Sequence, residues 1–183
     1  MTIQDLVNID STFSESSFIA KVDNTFIMLL SSIMMYDMDR VKHKISNELY
    51  SKYTTLTQQL KQNNERQMYD ELNVKSTDIL KIYETDTQYK IDVLLISRYM
   101  DYKIDASTGN FKSGINTHRV EKNNYLTFSK NKNTKELGIT KKCPSCGANI
   151  DSNNTGICSY CGTSYNLEDY DWILTDIKWK YLQ

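Results

Sequence analysis

Four cysteines, Cys143, Cys146, Cys158 and Cys161, form two Cys-x-x-Cys pairs with eleven residues between them. No other feature constrains this chain as much. Two thiolates two residues apart can grip one ion from a tight turn, and two such turns complete a tetrahedron. Gly147 and Gly162 each follow the second cysteine of a pair, where the chain must curl back and a positive φ is cheap only for glycine. Pro144, the only proline, stiffens the first turn. The spacing predicts one structural zinc in a small ribbon held by all four cysteines. The rival readings are disulfides, which need an oxidising compartment, and a tetrathiolate iron centre, which suits the same geometry. Four protein ligands leave no open coordination position, so the expected metal supports folding and not catalysis. So few apolar residues (Ile150, Ile157, Tyr160, Tyr165) could not hold such a segment together by themselves.

The remaining chain must supply its own core. With 183 residues there is length for one compact domain plus a small appendage, and 39% hydrophobic with 25% charged residues is ordinary for a folded soluble protein. The net charge of -1 gives the whole molecule no electrostatic pull towards nucleic acid or anionic membrane. Its distribution is uneven. Lys112, Arg119, Lys122, Lys130, Lys132, Lys135, Lys141 and Lys142 face only Glu121 and Glu136 in that stretch, while Cys143 to Ile177 carries five acids and no Lys or Arg. A basic surface beside an acidic one is expected, the lysines serving mainly as a solvated face that balances a tetrathiolate metal. The first thirty residues show no secretory signal pattern, and the apolar run from Phe26 to Tyr36 is too short to span a bilayer. Ligand-type cysteines without an export signal point to the cytoplasm, with a peripheral place at the inner face of the membrane as a further option.

Hydrophobic period changes once along the chain. Thr12 and Glu15 have capping-box spacing ahead of an apolar stripe, which predicts a helix from about Ser14 to Tyr36 that lies across a sheet or lines a cavity. Met38 to Ile45 and Asn47 to Gln62 read as two shorter helices, with Tyr50, Tyr53 and Leu56 on one face of the second. From Leu72 the period is two. Strands are expected at about Asn73 to Tyr83 and Tyr89 to Ile104, the latter covered on both faces around Val93 to Ile96. Asp105 to Asn110 is a hairpin turn, and the third strand runs to about Phe128 with a bulge at Gly114. A polar, basic linker follows Ser129. Trp172, Ile173, Leu174, Ile177 and Trp179 then look like a strand returning to the main sheet, so that the ribbon is an insertion anchored at both ends. Helices followed by long antiparallel strands make an α+β domain.

The pattern FSESSFIAKVDNTFIMLL, a helix pair ending in SNELY, the strand ISRYMDY, the segment YLTFSKNK, the CPSCG and CSYCG pairs and the closing DYDWIL together resemble the bacterial branch of the Tim forty-four-like domain family, the branch with an inserted zinc ribbon. That family is named for the peripheral subunit of the mitochondrial inner-membrane protein translocase, and the likeness runs from about Ile9 to Ile177. It implies N-terminal helices packed on a curved antiparallel sheet, of the cystatin-like or nuclear-transport-factor-two-like kind, around a sizeable apolar pocket. It also implies a domain of residues 9–140 plus 170–180 interrupted by a ribbon at 141–166.

Three function classes are weighed against each other. The leading one is a non-catalytic binding or tethering module, linked to protein transport, whose pocket takes a lipid or hydrophobic peptide. Its expected pocket residues are Phe26, Leu30, Tyr53, Tyr99, Tyr125 and Trp172. Expected partners are a hydrophobic ligand or a membrane-associated protein, with anionic lipid as a further candidate. Nucleic acid is disfavoured: Tyr160 and Tyr165 could stack bases beside the Lys130 to Lys142 stretch, but the ribbon itself is acidic. An enzyme would have to draw on Asp92, Tyr99, Asp101 and Tyr102, since His43 and His118 stand without a nucleophile at a recognisable spacing.

Overall fold

The computed structural model describes residues 1–132, 141–143, 145–150, 157–163 and 171–181. Its helices are α1 (Ile3–Ile9), α2 (Glu15–Met35) and α3 (Asn47–Gln62). Its strands are β1 (Glu65–Glu84), β2 (Gln88–Asp105), β3 (Phe111–Asn131), β4 (Lys141–Lys142), β5 (Asn149–Ile150) and β6 (Ile173–Tyr181). The main sheet is antiparallel in the order β1-β2-β3-β6, and β4 with β5 forms a separate small ribbon. This is the α+β architecture expected, helices on a curved antiparallel sheet. The last strand pairs with β3 from Lys122 opposite Tyr181 to Ser129 opposite Ile173, so the chain rejoins the sheet after the cysteines.

The sheet has an inner and an outer row of side chains. On β2 the inner row is Ile91, Val93, Leu95, Ser97 and Tyr99, all buried, and on β3 it is Lys122, Asn124, Leu126 and Phe128. Against this row α2 lays Phe18, Val22, Phe26, Leu29, Leu30 and Ile33, and α3 adds Leu49, Tyr53 and Leu60. Each such side chain contributes roughly 1.5–3 kcal/mol by leaving water. The outer row of β2, with Asp92, Leu94, Ile96 and Arg98, is half-buried, so the run from Val93 to Ile96 is covered fully on one face only. Helix α2 is long and apolar enough to cross a membrane by length and composition, which the shorter run from Phe26 to Tyr36 did not reveal. In this fold its apolar stripe is buried against the sheet.

Several elements differ from the sequence-based expectation. A first helix, α1, precedes α2, closed by a capping box in which Thr2 accepts from the backbone of Asp5 and Asp5 accepts in return. Ser14, not Thr12, caps α2, because Thr12 is turned towards the carboxylate of Asp10. Leu56 is 36% exposed and so lies off the face that buries Tyr53. The predicted helix at Met38 to Ile45 is only a 3-10 turn at Met38–Arg40. Tyr36 ends α2 in the left-handed region at φ 54, and Ile45 is drawn into a bridge with Leu174 of β6, with backbone bonds of 2.9 Å and 3.0 Å on either side of it. Strand β1 begins at Glu65 and not near Asn73. Its charged start is held by cross-strand partners, Glu65 to Lys103 at 3.1 Å and Gln67 to Asp101 at 2.6 Å.

Gly114 lies at φ 103, paired with Tyr102 of β2 in a short stretch flanked by register slips on both sides, so the predicted bulge falls beside it and not at it. A Cβ there would come within 2.4 Å of the Asp101 carbonyl oxygen, so only glycine permits this close approach of the two strands.

Candidate metal centre

Each cysteine pair sits in a turn with the same backbone bonding. Cys143 N–H donates to Ala148 O at 2.7 Å and Gly147 N–H donates back to Cys143 O at 2.9 Å. Cys158 N–H donates to Thr163 O and Gly162 N–H to Cys158 O, each at 2.9 Å. Gly147 and Gly162 have φ of 70 and 72, the left-handed conformation that the curl after each pair requires. The two turns therefore present their sulfurs alike, and the β4–β5 hairpin sets Lys142 opposite Asn149 beside the first.

All four Sγ atoms lie within 4.8 Å of one another. Cys143 is 3.7 Å from Cys161 and Cys146 is 3.7 Å from Cys158. A tetrahedron with metal–sulfur bonds of about 2.3 Å has edges of about 3.8 Å, so the donor set fits a four-coordinate ion. Disulfides need sulfurs about 2.05 Å apart, and these are free cysteines. The cluster pairs buried Cys143 and Cys158 with exposed Cys146 and Cys161.

The thiols are unequal. The Cys161 thiol is drawn down to about 6, its thiolate favoured by the Thr163 hydroxyl 3.3 Å away and by the Thr163 backbone N–H. For Cys146 the Ala148 N–H favours the thiolate, but the neighbouring sulfurs of Cys161, Cys143 and Cys158 together with desolvation outweigh it and push the thiol up to about 12. Four negative sulfurs cannot share this space without a cation among them. Among the described residues there is little else around the sulfurs to bind the turns together: Ile157 is 47% exposed and Tyr160 75% exposed. Tyr165 lies outside the described residues, as do Lys135 and Pro144.

The residues expected to line one pocket are dispersed. Phe26, Leu30, Tyr53 and Tyr99 are buried in the core; Phe26 meets Trp179 at 5.9 Å between ring centroids and Tyr99 meets Tyr69 at 5.4 Å. Burial pushes the Tyr53 phenol up to about 12. Tyr125 lies on the outer face, in a groove of ≈ 420 Å³ with Leu80, Asp92 and Lys178. Trp172 lines two adjoining cavities of ≈ 110 Å³ and ≈ 200 Å³, walled by Phe13 and floored by the Asp10–Lys130 ion pair at 2.8 Å. Leu6 and Ile9 of α1 close the first of them. Nothing in the sequence reading singled out α1, although the Thr2 and Asp5 spacing was a usable signal.

The expected basic surface is largely neutralised. Lys112 pairs with Glu65, Arg119 with Glu71, Lys122 with Asp101, Lys130 with Asp10 and Lys132 with Glu84. The sheet brings acids of β1 within reach of bases on β3 across the intervening β2, which the linear charge count could not anticipate. The residues considered for acid–base chemistry are likewise engaged: Asp101 with Lys122 and Gln67, Tyr102 with Asp70, and Asp92 with Thr127 at 2.8 Å. His118 is exposed on β3, and His43 is half-buried, its pKa lowered by burial and by Lys44.

The family model for the Tim44-like domain matches residues 1–138. The match begins before Ile9 and ends before the first cysteine pair, so it takes in the helices and the first three strands, while the ribbon and β6 lie beyond it. No curated protein matches the sequence.

Proposed function

The chain belongs to the Tim44-like domain family, and on that premise we propose that it is a non-catalytic tethering module that takes up an apolar ligand and carries a structural zinc. At the level of the family, membership supports a non-enzymatic module related to protein transport and associated with membranes. The zinc assignment rests on the four-thiolate donor set, whose closed coordination leaves no position for substrate. Iron would fit the same sulfurs, and metal analysis of protein purified without chelator separates the two.

The observation that carries the ligand reading is the pair of cavities beside Trp172. Leu6, Ile9, Phe13, Phe18 and Trp172 give them apolar walls, and the lysines in their lining, Lys21, Lys130 and Lys132, are each balanced by a carboxylate, Asp171, Asp10 and Glu84. Apolar walls with their charges already paired suit a lipid tail or the apolar side chains of a hydrophobic peptide. Two units follow from this reading, a ligand-binding body, the expected 9–140 and 170–180 extended through α1 because Leu6 walls a cavity, and a ribbon of 141–166 that docks a partner. For nucleic acid, Tyr160 is exposed, but among the described residues Lys130 and Lys132 are already paired with carboxylates.

Native mass spectrometry with lipid extraction, followed by flotation on vesicles with and without anionic lipid, tests the proposal. Co-purifying lipid or anionic-dependent flotation, weakened by Trp172→Ala, is the expected result. A protein without adduct that fails to float, and whose Trp172→Ala variant behaves identically, overturns the ligand reading.

A further inference from the structure

Strand β1 is an edge of the main sheet: among the described residues no strand pairs with its outer side. Long exposed edges invite pairing, and proteins commonly blunt them. Here the edge is self-complementary. We propose that β1 pairs antiparallel with β1 of a second copy of this chain, about a two-fold axis between Ile79 and Leu80, joining two four-stranded sheets into one.

The register follows from charge. Pairing about that axis sets Asp78 opposite the partner's Lys81 and, by symmetry, Lys81 opposite the partner's Asp78. Asp78 and Lys81 are both exposed, and Leu80 between them is 52% exposed, a large apolar side chain left in water at the axis. There it lies across the axis from its own symmetry mate. Opposite charges directly across two strands add stability.

A bulge makes the faces agree. Directly paired residues must point to the same face of the sheet, and in a regular strand residues 78 and 81 point to opposite faces. The register of β1 against β2 slips between Ile79 and Lys81, with Leu80 as the extra residue. As a result Thr77, which donates to Asp23 of α2, and buried Ile82 both face the helices. Lys81, whose Nζ sits 4.8 Å from the Tyr83 ring centroid, faces the other way. The pairing thus joins Thr77 to the partner's Ile82 on the inner face and Asp78 to the partner's Lys81 on the outer face. A groove of ≈ 670 Å³ runs along this same segment, walled by Ile3 and Ile19, and leaves room for the incoming strand.

Sedimentation equilibrium of the full chain and its variants tests the proposal, with circular dichroism melts to check folding. Wild type is expected to show a monomer–dimer equilibrium. Asp78→Lys and Lys81→Asp should each weaken dimerisation on the order of tenfold or more, since each turns two attractive exposed pairs repulsive. The double variant, which exchanges the two charges, should restore it. A wild type that stays monomeric at high concentration overturns the proposal, as does a folded double variant that dimerises no better than the single ones. Leu80→Lys, which adds charge at the axis, should give a folded monomer; an undiminished dimer would place the interface elsewhere.

Discussion

The body and the ribbon of this molecule solve the same problem, holding a chain in one shape, by different means. In the body, α2 and α3 bury a continuous row of large side chains against β2, β3 and β6, so stability is spread over many contacts of modest size. In the ribbon two turns with near-identical backbone bonding hold four sulfurs together while Ile157 and Tyr160 stay in water. A distributed core degrades gradually under substitution, whereas a metal-centred unit depends on every ligand. Small units without a core rely on such staples.

The largest expected effect exploits that difference. Cys146→Ser removes one ligand from a site whose metal contributes an apparent ~10–16 kcal/mol in isolated zinc peptides. Metal content should fall from about one per chain to near none, and proteolysis should cut the ribbon while the body stays intact. Phe128→Ala is the counterpart in the body: Phe128 is fully buried and meets Phe18 at 5.5 Å, so the change should cost about 3–5 kcal/mol in denaturant melts and leave metal content unchanged. Equal damage to both units by either variant would erase the distinction between them.

Much of this contrast was legible before any coordinates. The cysteine spacing announces its own geometry because the ligands are local, and α2, α3 and the two hairpins carry periodicity or turn chemistry within a few residues. What escaped reading depends on partners far along the chain. Glu65 to Asp70 has no strand-like alternation and is extended because β2 supplies Lys103 and Asp101 opposite it. Ile45 leaves a helical pattern because Leu174 offers backbone bonds. The lysines that look like one basic surface are neutralised pairwise by acids on α1 and β1. At the expected pocket, strand parity sends Tyr99 to the core and Tyr125 to the outer face, while Trp172, just ahead of β6, lines the cavities beside α1.

Two smaller effects sharpen the description of the body. Gly114→Ala places a Cβ against the Asp101 carbonyl at a φ that alanine avoids, and should destabilise by roughly 2 kcal/mol in a urea titration without touching the ribbon. The smallest concerns acid. Burial alone would raise the Asp10 carboxyl, but Lys130 and Thr12 outweigh it and hold the group below its ordinary value. A carboxylate depressed in the folded state stabilises above its unfolded pKa of about 3.9, and that stability is lost as pH falls through the folded value. The stability gap between wild type and Asp10→Asn should therefore be full near neutral pH and shrink in acid; a gap independent of pH would mean that the ion pair with Lys130 is not what Asp10 contributes.

The most direct test of two independently held units is hydrogen exchange of the metal-loaded chain before and after a strong chelator. The account predicts that protection is lost at Cys143, Gly147, Cys158 and Gly162, whose amides close the two turns, while α2, β2, β3 and β6 exchange as before. Loss of protection across the sheet, or unchanged protection in the cysteine turns, would contradict it.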